Sequence, residues 1–224
     1  MRTKILGILT LVTITIALYL AFVYAPTDKQ QGIAQRIFYF HVPSGIMSYT
    51  SAFLLFLAAV MYMVKRDLKW DRVAYSCAEL GVLFTSLSLI TGMIWARPIW
   101  GIWWTWDARL TLQLVLWLIF VAYFMLRSYL PDRDKKAKLS AVFGLLGAID
   151  VPLNYLSIRL VPTQHPQPVV GGGAGSGMEP EMWVAFIASN IAFLLLYAYL
   201  LDRRIAVAQS EDEVEYIASL VHAQ

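Results

Sequence analysis

Six apolar blocks, each about the length of a bilayer crossing, constrain this chain more than any other feature: residues 5–24, 44–64, 75–95, 110–130, 139–158 and 183–201. Roughly 20 apolar residues in a helix span a hydrocarbon core of about 30 Å. Within that core only helices and closed barrels satisfy their own backbone, and these blocks lack the alternation of barrel strands. The expected fold is an all-α integral membrane protein with six transmembrane helices, a single membrane domain over 1–224 whose residues 202–224 form a tail. Composition agrees, with 59% hydrophobic and 15% charged residues. Arg2 and Lys4 ahead of the first block and Val23-Tyr24-Ala25 at its end imitate a cleaved leader. The apolar run is too long for one, and Pro26 follows the would-be cleavage site, so the block reads as a retained span.

Orientation follows from the cations. With the N-terminus inside, thirteen Lys and Arg fall on cytoplasmic segments and five (Lys29, Arg36, Arg97, Arg109 and Arg159) on outer ones. The positive-inside rule therefore expects both termini in the cytoplasm and the connector between the third and fourth helices on the outer side. The net charge of +3 is accounted for by that asymmetry, and no nucleic-acid patch is implied.

That connector, Trp95 to Arg109, holds five of the eight tryptophans: Trp95, Trp100, Trp103, Trp104 and Trp106. An aromatic belt at the headgroup level explains one or two indoles per helix end. Five in a short stretch with Pro98, Gly101, Arg97 and Arg109 suit a flat, apolar ligand that carries anionic groups. Asp107, directly before an apolar run, reads as an N-cap that fixes the angle at which Trp103, Trp104 and Trp106 leave the bundle. Arg97 and Arg109 bracket the indoles, either as forks for carboxylates or as snorkelling cations on lipid phosphate.

Upstream, Ile33, Ile37, Phe38 and Phe40 recur at helical spacing, as in a short interfacial helix. It delivers Phe40-His41-Val42-Pro43 to the second span, with Pro43 as the first helical residue. His41 there either bonds a carbonyl or water, or ligates a metal. His165 lies in the last outer segment, stiffened by Pro162, Pro166 and Pro168, ahead of a glycine-rich run over 171–177. That run has neither dinucleotide-binding spacing nor a P-loop lysine, so nucleotide binding is rejected. His222, in an acidic and weakly amphipathic tail, reads as exposed. Lone Cys77, inside the third span, supports no disulfide or haem-attachment motif and reads as a small buried hydrophobe. Within the spans, Glu79 and Arg127 are expected to pair. Ser88, Asp150, Asn154 and Asn190, at matching depths, are expected to form a polar cluster that is either interhelical glue or a pocket floor.

Two histidines, His41 and His165, thus fall on separate outer segments, with a tryptophan shelf on a third. Two neutral imidazoles facing one another across a planar apolar ring are what axial ligation of haem iron by a histidine pair requires; tryptophans would cover the ring and arginines would hold its propionates. Zinc fits less well, because no Cys, Asp or second His stands near either histidine at ligand spacing.

Trp100-Gly101-Ile102-Trp103-Trp104-Thr105-Trp106-Asp107-Ala108-Arg109-Leu110-Thr111 closely resembles the WWD signature of the haem-handling proteins of cytochrome c maturation. Phe40-His41-Val42-Pro43 resembles their histidine motif before the second span, and six spans with one such motif are similar to the CcmC-type branch. The resemblance implies a multi-pass protein of the bacterial cytoplasmic (inner) membrane. It implies a haem b site on the periplasmic face, with His41 and His165 as axial ligands. It further implies a membrane-anchored periplasmic haem chaperone that receives the haem, together with ABC-transporter subunits and a small single-span protein. On this reading the chain is no enzyme. The competing classes are a haem permease, with the polar cluster along its route, and a haem-lyase (synthase) subunit, whose larger relatives have extra spans and histidines. A quinone-linked cytochrome b would carry histidine pairs within its spans, and no span here contains any.

Overall fold

The computed structural model describes residues 1–165 and 178–222, with side chains for all of these but Ser219 and His222. Pro166, Pro168 and the glycine run over 171–177 lie outside the described residues. The helices are α1 (Arg2–Tyr19), continued by a π-helical turn (Leu20–Tyr24), α2 (Phe38–Lys65), α3 (Leu68–Trp100), α4 (Ala108–Tyr129), α5 (Arg133–Leu160) and α6 (Pro180–His222). All six are long and apolar enough to cross a membrane, and the described residues contain no strand.

Helices α2, α3, α5 and α6 overrun their apolar blocks at both ends. The expected interfacial helix is a single 3-10 turn, Ile33–Ile37, and Ile37 already has right-handed helical dihedrals, so the chain passes into α2 without a break. Pro43 consequently lies inside α2, not at its start. Its missing N–H leaves the Tyr39 carbonyl without a ladder partner. At the other side of the bundle end, α3 runs on through Pro98 to Trp100 and stops at Gly101, whose φ of 77° only glycine adopts without cost. The tryptophan connector therefore shortens to residues 101–107. The expected tail continues α6 as far as His222, and the whole helix has 43 residues, about 64 Å at 1.5 Å per residue.

Around the bundle axis α2, α3, α4 and α5 form a closed ring, each packed on the next; α6 lies along α2 and α3, and α1 along α6. Lipid tails are as apolar as leucine, so close packing supplies the association energy. A Cβ on Gly144 of α5 would stand 2.9 Å from the Phe56 Cα of α2, so these two backbones meet as only a glycine allows. Leu55, Leu116, Phe120, Tyr123 and Phe143 fill the ring beside buried Cys77.

At the end where α1 begins, ion pairs tie the helices. Arg127 grips Asp71 with both guanidinium nitrogens, at 2.7 and 2.9 Å. Glu79 pairs with Arg204 of α6 and not with Arg127 as expected. Depth along a helix does not give the face: Asp71 and Glu79, eight residues apart, are turned about 80° from each other. Asp71 meets α4, and Glu79 meets α6. The acidic tail is drawn in too, for Asp212 pairs with Arg72 at 3.1 Å and with Arg133, and Glu215 with Arg133 at 3.0 Å.

Candidate binding site at the tryptophan end

A cavity of about 240 Å³ enters the four-helix ring at the end opposite those ion pairs. His41, Trp100, Trp104, Arg109 and His165 all line it, as do Tyr49 and Gln113. The first five of these, all singled out from sequence, converge from α2, α3, the 101–107 connector, α4 and the segment after α5, and Ser88 and Trp95 of α3 join them.

His41 is the fourth residue of α2. Its Nδ1 lies 3.0 Å from the Ser88 carbonyl and 3.2 Å from the Thr91 hydroxyl oxygen, and that hydroxyl donates to the Leu87 carbonyl at 2.6 Å. A carbonyl can only accept, so Nδ1 carries the hydrogen and Nε2 holds the lone pair. The two roles considered for this residue are thus compatible: one nitrogen bonds a carbonyl, and the other is left as a ligand atom. His165 follows the end of α5, its own N–H donating to the Thr163 hydroxyl at 3.0 Å.

Arg109 is aimed by its cap. Asp107 Oδ1 accepts from the backbone N–H groups of Arg109 (3.0 Å) and Leu110 (3.1 Å), while Oδ2 accepts from the Thr105 hydroxyl at 2.7 Å. The Arg109 guanidinium reaches the Asn154 carbonyl at 3.4 Å. Arg97, by contrast, donates to the Gly101 carbonyl at the end of its own helix. Trp104 packs edge-on against Trp106, with centroids 5.6 Å apart. Trp103 and Trp106 are 57% and 75% exposed and stand on the rim with Arg97 and Asp107, outside the cavity lining.

The polar floor differs from the cluster expected. Gln113 donates to the Ser48 hydroxyl at 3.1 Å and accepts from the Asn154 amide at 3.2 Å, which links α4 to α2 and α5. Asn190 instead donates to the Phe186 carbonyl of its own helix, and Ser88 lines the cavity beside His41. Asp150 is buried, with Oδ2 unpartnered. Sequence depth located Asn154 but was blind to azimuth. Gln113, a lone amide four residues after Arg109 in an apolar run, was the signal for the residue missed.

The lining suits a planar, apolar, metal-bearing ligand with acidic side groups. It offers an imidazole with a free nitrogen, a second imidazole from another element, three indoles (Trp95, Trp100 and Trp104) and one guanidinium, amid Val42, Leu89 and Met93. No cluster of three or more metal-binding side chains occurs among the described residues, so a bare metal ion lacks a protein cage here.

Fold and site together define a multi-pass helical membrane protein with a two-histidine, tryptophan-lined pocket at one end of its bundle. Residues 2–217 match the family model CcmC, heme exporter protein C. The chain is 33% identical over 198 residues to heme exporter protein C of Haemophilus influenzae, covering 88% of this chain and 80% of that protein. It is 34% identical over 191 residues to that of Bradyrhizobium diazoefficiens (85% and 72%) and 32% identical over 195 residues to that of Escherichia coli K12 (87% and 78%). The chain belongs to the heme exporter protein C family.

Proposed function

We propose that this protein binds haem b at the tryptophan end of its bundle, with His41 and His165 as axial ligands, and presents it to a haem chaperone in cytochrome c maturation. The observation that carries this reading is the meeting of two imidazoles from separate elements on one apolar cavity, His41 with its Nδ1 committed to a carbonyl. Trp100 and Trp104 would flank the porphyrin and Arg109 would take a propionate, while exposed Trp103 and Trp106 offer the chaperone a surface. The family's relatives are named heme exporters, and the cation asymmetry supports a periplasmic position for this face, in the bacterial inner membrane with both termini cytoplasmic. Haem is cargo here, its iron chemistry its own; the chain's residues bind it, orient it and shield one edge. Delivery without bond-making of its own distinguishes the protein from a synthase subunit. Against a permeation route through the ring stands the hydrogen-bonded floor of Ser48, Gln113 and Asn154. The membrane-anchored chaperone, the ABC-transporter subunits and the small single-span protein are the partners this reading assigns.

Absorption spectra of the purified protein test the site. The wild type is expected to show a low-spin haem band that His41→Ala and His165→Ala each lose. If neither variant loses it, the bis-histidine assignment falls.

A further inference from the structure

Four residues of α3, Ser88, Thr91, Gly92 and Trp95, recur at the i, i+3, i+4, i+7 spacing of one helix face, and all four meet the ring of His41. The Ser88 carbonyl and the Thr91 hydroxyl hold Nδ1. A Cβ on Gly92 would lie 2.9 Å from the imidazole Cε1, closer than real side chains approach, so the ring rests on a bare backbone. Trp95 stands edge-on to the imidazole, centroids 5.7 Å apart and planes at 65°. Its indole is itself fixed, because Nε1 donates to the Gln31 side chain at 3.0 Å. Across the same contact, a Cβ on Gly45, one turn beyond His41, would meet the Ser88 hydroxyl oxygen at 3.5 Å, so α2 and α3 approach closely at this level.

We propose that this face of α3 is a seat for His41, with Thr91, Gly92 and Trp95 as positioning residues that hold the imidazole in its Nδ1–H form with Nε2 available to a ligand in the cavity. The inference deepens the haem reading and rests on it for its ligand, but the seat is a property of the protein alone. Ring orientation and tautomer are set by the partner of the second nitrogen, and such outer partners tune both affinity and the electronic character of a bound metal. Gly92 is the sharpest case. In a helix interior alanine is intrinsically better than glycine, so a glycine there needs a steric reason, and the imidazole supplies one.

Two measurements test the seat separately from the ligand. In the first, thermal unfolding of the detergent-solubilised protein is followed for Gly92→Ala, His41→Ala and the double variant. Gly92→Ala is expected to lower Tm in the His41 background and to leave it unchanged or raise it in the His41→Ala background, where the clash is gone. Equal effects in both backgrounds overturn the proposal whatever the protein binds. In the second, Gly92→Ala and Thr91→Val are loaded with haem. Gly92→Ala is expected to convert the low-spin spectrum towards high-spin and to regain it with added imidazole. Thr91→Val is expected to shift the reduction potential, with Thr91→Ser restoring it. Wild-type spectra and potential in both variants overturn the positioning role. If the wild type itself takes up no haem, the functional reading fails and the Tm cycle alone decides the seat.

Discussion

Arg97 and Arg109 flank the same run of tryptophans, yet their guanidinium groups have different partners. Arg97 closes the end of α3 through the Gly101 carbonyl, whereas Arg109 lines the cavity beside Trp104. A hydrogen bond to a charged group contributes about 1.5–3 kcal/mol, and 1.4 kcal/mol is tenfold in affinity. Arg109→Ala should therefore weaken haem retention by about tenfold or more, and Arg97→Ala should weaken it much less. Competition by apomyoglobin checks both; equal retention in wild type and Arg109→Ala would return that residue to a lipid-facing role. Spacing alone left the two arginines equivalent. Only the fold separates them, because α3 continues past Arg97 and α4 starts at Ala108.

Among the elements, the start of α4 links local sequence to site most directly. Asp107 caps two backbone N–H groups and is itself held by Thr105, so the angle of the connector and the reach of Arg109 share one carboxylate. Loss of such a cap costs about 1 kcal/mol. Asp107→Ala is expected to lower Tm and accelerate haem loss, with Asp107→Asn retaining most of both; an Asn variant as poor as Ala would assign the effect to charge instead of capping. This cap was legible in the sequence, as were all six spans, since hydropathy over 20-residue windows reports what the bilayer selects. The helix ends were not. Phe38 to Pro43, Arg97 to Trp100 and the tail of α6 carry proline, arginine or acidic residues that leave the apolar window while remaining helical. Pairings across helices were misread for a related reason: Glu79 and Asn190 have the depth expected of them but point to other neighbours.

For the whole molecule, the four-helix ring separates two ends of opposite character, a nearly apolar pocket framed by indoles and a face laced with ion pairs. The long α6 runs between them, packed near its start through Phe186 against Phe38 and further on through Arg204 to Glu79. Cys77 sits in the middle of this assembly with none of its surface exposed, and such a thiol is inert to reagents in water. The native protein thus supplies its own blank for maleimide footprinting. Introduced cysteines at Lys29, on the pocket side, and Lys135, in the first turn of α5 at the opposite end, occupy exposed positions and need no background substitution. With a membrane-impermeant maleimide on intact spheroplasts, Lys29→Cys is expected to react and Lys135→Cys to react only after permeabilisation. The reverse pattern would turn the protein over in its bilayer, and the unmodified chain would stay silent in either case.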